Sequence, residues 1–172
     1  MDFQTLVDTD AVGIKIEHDE AVMMLGSCFA EDVGNLLKRS MLALCINPFG
    51  TLYNPRSIAQ SLRRLMADEP FSADELVAYG NLWHSMSHHS RFSSVDKDRA
   101  LQKINAAYAE GVACLRSARH LIVTFGTAYT FSTADGETVA NCHKMPASMF
   151  NRRMLSANEI ADEWIPLIDD IR

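Results

Sequence analysis

Two side chains able to act as nucleophiles, Ser27 and Cys28, directly follow a glycine in Met23-Met24-Leu25-Gly26-Ser27-Cys28-Phe29-Ala30-Glu31. The apolar run stops at Gly26, where a helix should begin. This spacing puts a hydroxyl and a thiol at the carboxyl end of a buried strand. There the open N–H groups of the next helix stabilise negative charge. The chemistry served by such a placement is acyl transfer, in which an oxygen or sulfur attacks a carbonyl and an oxyanion must be held. The competing reading makes Ser27 a helix cap and Cys28 packed core.

Three further clusters could complete such a site. In Asn47-Pro48-Phe49-Gly50-Thr51, backbone N–H groups could face an oxyanion, as could the side-chain amides of Asn47 or Asn54, and a glycine lets the backbone approach a substrate. The bland alternative is a loop glycine at positive φ. Gly126-Thr127 ends another apolar run and offers a further donor. Asn141-Cys142-His143-Lys144 is either a surface loop or the source of a base, since histidine commonly serves a serine or cysteine nucleophile. His84 and His88 have i,i+4 spacing, but no helix is predicted there to align them. No metal site is therefore expected, and His84, His88 and His89 are read as cleft side chains.

The elements that must position these residues follow from hydrophobic spacing. Ala21 to Leu25 reads as a buried strand, followed by a helix from about Ala30 to Arg39 with Phe29, Val33, Leu36 and Leu37 on its inner face. Met41 to Ile46 is a second apolar run. Asn54-Pro55 opens a helix carrying Ile58, Leu62, Leu65 and Met66, with an N-cap and a first-position proline. Ser72-Ala73-Asp74-Glu75 is a capping box opening a short helix. Gly80 to Ser94 reads as irregular. A long helix is expected over Asp96 to Ser117, then a third apolar run, His120 to Phe125. A hairpin follows (Tyr129 to Thr133 and Thr138 to Cys142). A second capping box, Ser156 to Glu159, opens a final helix that Pro166 should kink or end early.

Alternating strands and helices predict an α/β sandwich with a mainly parallel sheet covered on both faces. Ligands bind such sheets beyond the carboxyl ends of the strands. The bends at Gly26, Gly50 and Gly126 should then share one rim.

Composition narrows the function. The chain has 172 residues, enough for one domain, with 48% hydrophobic and 22% charged residues. A net charge of −6 argues against general affinity for nucleic acid or an anionic membrane. No apolar run approaches the roughly 18 residues of a membrane span. Met1 to Asp10 holds three aspartates and lacks the basic start of a secretory signal, so a cytoplasmic location is expected. Cys28, Cys45, Cys114 and Cys142 show no short metal-ligand spacing and are read as free thiols, with Cys45 and Cys114 in the core.

Gly26 to Ala30, together with Asn47-Pro48-Phe49-Gly50-Thr51-Leu52-Tyr53-Asn54-Pro55, His88-His89-Ser90-Arg91-Phe92, Phe125-Gly126-Thr127-Ala128-Tyr129 and Asn141-Cys142-His143-Lys144-Met145-Pro146, resembles the GSCFA family. That family is distantly similar to the SGNH or GDSL hydrolases, which cleave or transfer acyl groups on a flavodoxin-like three-layer sandwich. The resemblance implies an ester hydrolase or acyltransferase acting on a small or carbohydrate-borne acyl ester, with no metal or organic cofactor. A gapless overlay puts the nucleophile at Cys28, and a one-residue shift puts it at Ser27. The oxyanion glycine falls on Gly50. Thr127 or Asn141 would replace the asparagine that usually follows the third glycine, and His89 would line the substrate site. The relatives' late Asp-x-x-His pair and last strand have no counterpart here. The resemblance thus implies an N-terminal portion of the domain, or His143 or a cleft histidine in the missing role, or no catalysis. The alternative from another class is a flavodoxin-like module binding a phosphate-containing ligand, although the chain lacks a G-x-G-x-x-G or P-loop pattern.

Overall fold

A computed structural model describes residues 13–172. The acidic stretch Met1 to Asp10 lies outside the described residues. Strand β1 (Ala21–Gly26) is the middle of a parallel sheet, with β2 (Leu44–Ile46) and β5 (Ala118–Thr124) on either side. Its place follows from its composition: Val22, Met23, Met24 and Leu25 are apolar on both faces, and all four are buried. The register pairs Met23 with Cys45 and with Leu121, and Gly26 with Thr124.

Helix α1 (Cys28–Arg39) covers one face, where Met24 and Ile46 meet Gly34. Helices α2 (Pro55–Ala67), α3 (Lys97–Ser117) and α4 (Ala157–Ile171) cover the other face. There Met23 and Leu25 join Ile58, Leu62, Leu65, Ile104, Tyr108, Val112, Trp164 and Leu167 in one core. Side chains of this size contribute about 1.5–3 kcal/mol each on burial, so this face holds most of the apolar stabilisation. The result is the expected three-layer α/β sandwich. Outside the sheet lie a hairpin, β3 (Leu76–Tyr79) with β4 (Leu82–Ser85), and a small antiparallel sheet in the order β7 (Thr138–Val139), β6 (Tyr129–Ser132), β8 (Asn151–Met154).

Several local expectations need correction. Helix α1 starts at Cys28 rather than near Ala30, so Cys28 occupies its first turn. Its inner face is built on Ala30 and Gly34, whereas Phe29 and Leu36 are exposed. Small residues win because the helix lies close on the sheet: a Cβ at Gly34 would lie 2.8 Å from Ile46 Cδ1. Strand β2 is shorter than the apolar run of Met41 to Ile46, and Met41 is exposed at positive φ. Cys45 and Cys114 are half-buried rather than core.

Part of the stretch read as irregular is the β3–β4 hairpin, turned at Gly80-Asn81. Pro166 does not end α4, which runs on to Ile171. The carbonyl it leaves unpaired belongs to exposed Asp162, while Trp164 and Leu167 are buried and the Trp164 indole N–H donates to Pro55 O at 3.2 Å. Packing outweighs the lost helix bond.

Candidate active site at the carboxyl edge of the sheet

The three glycine bends meet. Asn47 is the centre of the junction: its N–H donates to Met24 O at 2.9 Å, and its Oδ1 accepts the Gly26 N–H at 2.8 Å. Leu52 N–H donates to Gly26 O at 2.8 Å, and Gly126 and Thr127 both donate to Tyr53 O, at 2.8 and 3.0 Å. The loop after β2 is thus laced to the end of β1 on one side and to the end of β5 on the other.

Gly26 has φ +139, and a Cβ there would lie 2.2 Å from Thr124 O. Only glycine fits where β1 runs against β5. Gly50 has φ +79, and a Cβ there would lie 2.3 Å from the Cβ of His89. The two glycines let backbone and side chains close around the rim.

Ser27 takes the N-cap position of α1 without capping it. Its hydroxyl lies 3.3 Å from Thr124 Oγ1, and its N–H donates to the same oxygen at 3.2 Å. No side chain therefore satisfies the first-turn N–H groups of α1. Cys28, the first residue of that turn, is exposed, whereas Ser27 is only 7% exposed. Glu31, one turn further on, pairs with Arg91 at 3.2 Å, and Arg91 also donates to Asn47 O at 2.7 Å. The Arg91 guanidinium therefore spans the gap between α1 and the Asn47 loop.

His89 sits beside Gly50. Its N–H donates to Phe49 O at 2.9 Å, and its Nδ1 accepts the Arg91 N–H at 3.2 Å. The ring is thereby oriented, and in the neutral imidazole Nε2 carries the N–H as a donor. His143 is different. It is buried, its Nε2 pairs with Ser85 O at 2.8 Å, and its ring lies 4.4 Å from that of His84. Burial holds its pKa below the ordinary imidazole value. Neither His143 nor Asn141 hydrogen bonds to Gly26, Ser27 or Cys28; Asn141 Oδ1 instead accepts the His143 N–H at 2.9 Å.

Two other expected donors are already engaged. The Gly50 N–H closes the turn on Asn47 O at 2.7 Å. Asn54 caps α2, its Oδ1 accepting the Ser57 N–H at 2.8 Å and its amide donating to Ser57 Oγ at 2.9 Å. Thr127 Oγ1 accepts the Tyr129 N–H at 3.1 Å.

His88, adjacent to His89, belongs to a closed aromatic box. Its ring stacks on Phe49 at 4.7 Å and meets Phe71 and Phe92 edge-on at 4.6 and 5.1 Å. Ser85 Oγ lies 2.8 Å from its Nδ1, and its Nε2 has no partner. Burial, reinforced by the charge of nearby His143, pushes its pKa down to about 3. Among the described residues, no group of three or more His, Cys, Asp or Glu is placed to hold a metal. A cavity of about 250 Å³ opens behind Phe49, lined by Ser57, Ser61, Arg64, Glu75 and Glu137, but Ser27 and Cys28 are not part of it.

Sequence reasoning passed over Asn47 as a clamp, and Arg91. The signal for Asn47 was its place at the end of an apolar run just before Pro-Phe-Gly, where a left-handed residue is needed; its φ is +46.

Together, the parallel sheet, the lacing of its carboxyl-edge loops and the uncapped helix define an α/β sandwich whose three glycine bends share one rim. The GSCFA family matches residues 21–172, and the chain belongs to that family. No curated protein and no solved structure matches it.

Proposed function

We propose that the rim is the active site of an ester hydrolase or acyltransferase, with Cys28 as nucleophile. One observation carries this reading: the Ser27 hydroxyl turns away to Thr124, leaving the amino end of α1 open beside an exposed thiol. The exposed Cys28 thiol gives its proton to water, and the sulfur attacks the ester carbonyl carbon. The N–H groups of the first turn of α1 stabilise the resulting oxyanion. Collapse releases the alcohol, whose departing oxygen accepts a hydrogen bond from His89 Nε2–H and takes its proton from water, and leaves a thioester on Cys28. Water, or an acceptor hydroxyl, then attacks the thioester and restores the thiol. Arg91 positions His89 through its N–H and steadies α1 through Glu31.

A small or carbohydrate-borne acyl ester is the proposed substrate, and the cytoplasm the proposed compartment. Among the described residues, no helix is long and apolar enough to cross a membrane.

The test is turnover of short p-nitrophenyl esters combined with mass mapping of an activity-based probe. Label on Cys28, lost in Cys28→Ala, is the expected result. Label on Ser27 would move the nucleophile by one residue. Unchanged turnover in both Cys28→Ala and Ser27→Ala would end the reading. The same open helix end, with Arg91 nearby, also favours an anion. Tight phosphate binding without turnover would support a binding module instead.

A further inference from the structure

One cavity beside the rim has no part in the reaction steps. Cys28, Glu31, Asn35 and Lys38 succeed one another at three- or four-residue spacing, which stacks them along one side of α1. The last three line a cavity of about 390 Å³ at the outer edge of β2, where Leu44, Ile46 and Pro48 form an apolar floor. Helix α3 closes the far side with Ala107 and Glu110. Arg91, which pairs with Glu31 at 3.2 Å, stands at the end nearest the rim. Along the helix axis Glu31 is about 4.5 Å from Cys28 and Lys38 about 15 Å, so the cavity runs away from the thiol as a groove.

The lining decides what fits. Asn35, Lys38 and Glu110 are exposed, and among the described residues neither Lys38 nor Glu110 enters an ion pair. Strand β2 pairs only with β1, so the backbone N–H and C=O groups on its outer edge also lack a strand partner. The two carboxylates, Glu31 and Glu110, offset the two cations, Lys38 and Arg91. A phosphate would meet the carboxylates and an ammonium the cations, each with a repulsion to overcome. A neutral group rich in hydroxyls suits all of these partners, because each hydroxyl both donates and accepts. Its C–H surface can lie on the apolar floor. We propose that the groove is a subsite for the sugar portion of the ester, with the acyl carbonyl at Cys28. The acyl placement rests on the ester chemistry proposed for the rim, whereas the sugar site stands on the groove alone.

The experiment titrates the whole protein with methyl β-glucopyranoside and reads saturation transfer from protein to the sugar C–H protons by NMR. Turnover of the sugar's monoacetates and of ethyl acetate is followed in parallel by acetate release. The wild type should transfer saturation to the sugar, and Asn35→Ala/Glu110→Ala should weaken binding about tenfold. Both positions are exposed on helices, where alanine is well tolerated. The kcat/KM for the monoacetates should fall by a similar factor, mainly through KM, and further than that for ethyl acetate. No saturation transfer to the sugar would overturn the proposal even if p-nitrophenyl esters are turned over, and would leave the charges as guards of the β2 edge. Sugar binding unchanged in the double variant, displacement of the sugar by equimolar inorganic phosphate, or equal losses for the two esters would also overturn it. Saturation transfer that the double variant weakens, without turnover of any ester, would support the sugar site and end the ester chemistry instead.

Discussion

His88 and His89 are consecutive, yet they belong to opposite kinds of environment. His88 lies in the aromatic box of Phe49, Phe71 and Phe92, 1% exposed, neutral and sealed from water. His89 stands on the rim, oriented through one ring nitrogen with the other left over. The same contrast separates the two regions as wholes. Around His84, His88 and His143, polar atoms are mostly closed on each other or on backbone, and the ring nitrogens that remain unpaired face no solvent. Around Ser27 and Cys28, the backbone is tightly laced but the amino end of α1 is left open. The histidine-rich region is therefore a closed wall, and the rim an open edge. Phe49 links them, stacking on His88 while its carbonyl holds His89.

The comparison can be tested in order of expected effect. Cys28→Ala should lower ester turnover by about a thousandfold or more. Because Cys28 is exposed, the urea midpoint should stay in place. A fall in stability matching the fall in turnover would make Cys28 a structural residue. Gly26→Ala should cost more than about 3 kcal/mol, since strain at positive φ adds to a clash with backbone. Urea unfolding measures this, and a near-neutral result would mean that β1 and β5 can part cheaply.

Acidification probes the box. His88 has a folded pKa near 3, below its unfolded value, so the unfolded chain binds the extra proton first. Its contribution is complete above about pH 6.5 and is lost as pH falls toward 3, at up to about 1.4 kcal/mol per pH unit. The difference between the stability curves of the wild type and His88→Phe isolates this slope, and identical slopes would place His88 in water. Asn54→Ala should cost about 1 kcal/mol through loss of the α2 cap, again read by urea. No loss would mean that Pro55 alone fixes that helix start.

Local signals carried much of the architecture. The Ala21 to Leu25 run, the Asn54-Pro55 start and the Ser156 capping box each have a short-range cause, and the structure has all three. The shared rim was legible because parallel strands oblige their carboxyl ends to face one way. What could not be read depends on distant partners. Strand β8, Asn-Arg-Arg-Met, is exposed throughout and owes its form to pairing with β6. The inner face of α1 depends on how closely the helix lies on the sheet, a distance that spacing does not encode. The site was legible only as a set of candidates. Sequence could not tell that Asn54 and Gly50 spend their donors locally, or that His143 turns to Ser85. The β3–β4 hairpin did have a signal, since Gly80-Asn81 between two apolar-rich quartets is a turn signature.

The clamp at Asn47 ties the tips of neighbouring strands through a single side chain, with its Nδ2 left unpaired in the interior. Such a joint behaves as a keystone. Loosening it would let the ends of β1 and β2 drift apart while the helices stay packed, so a protein damaged there would lose its working edge long before it melted.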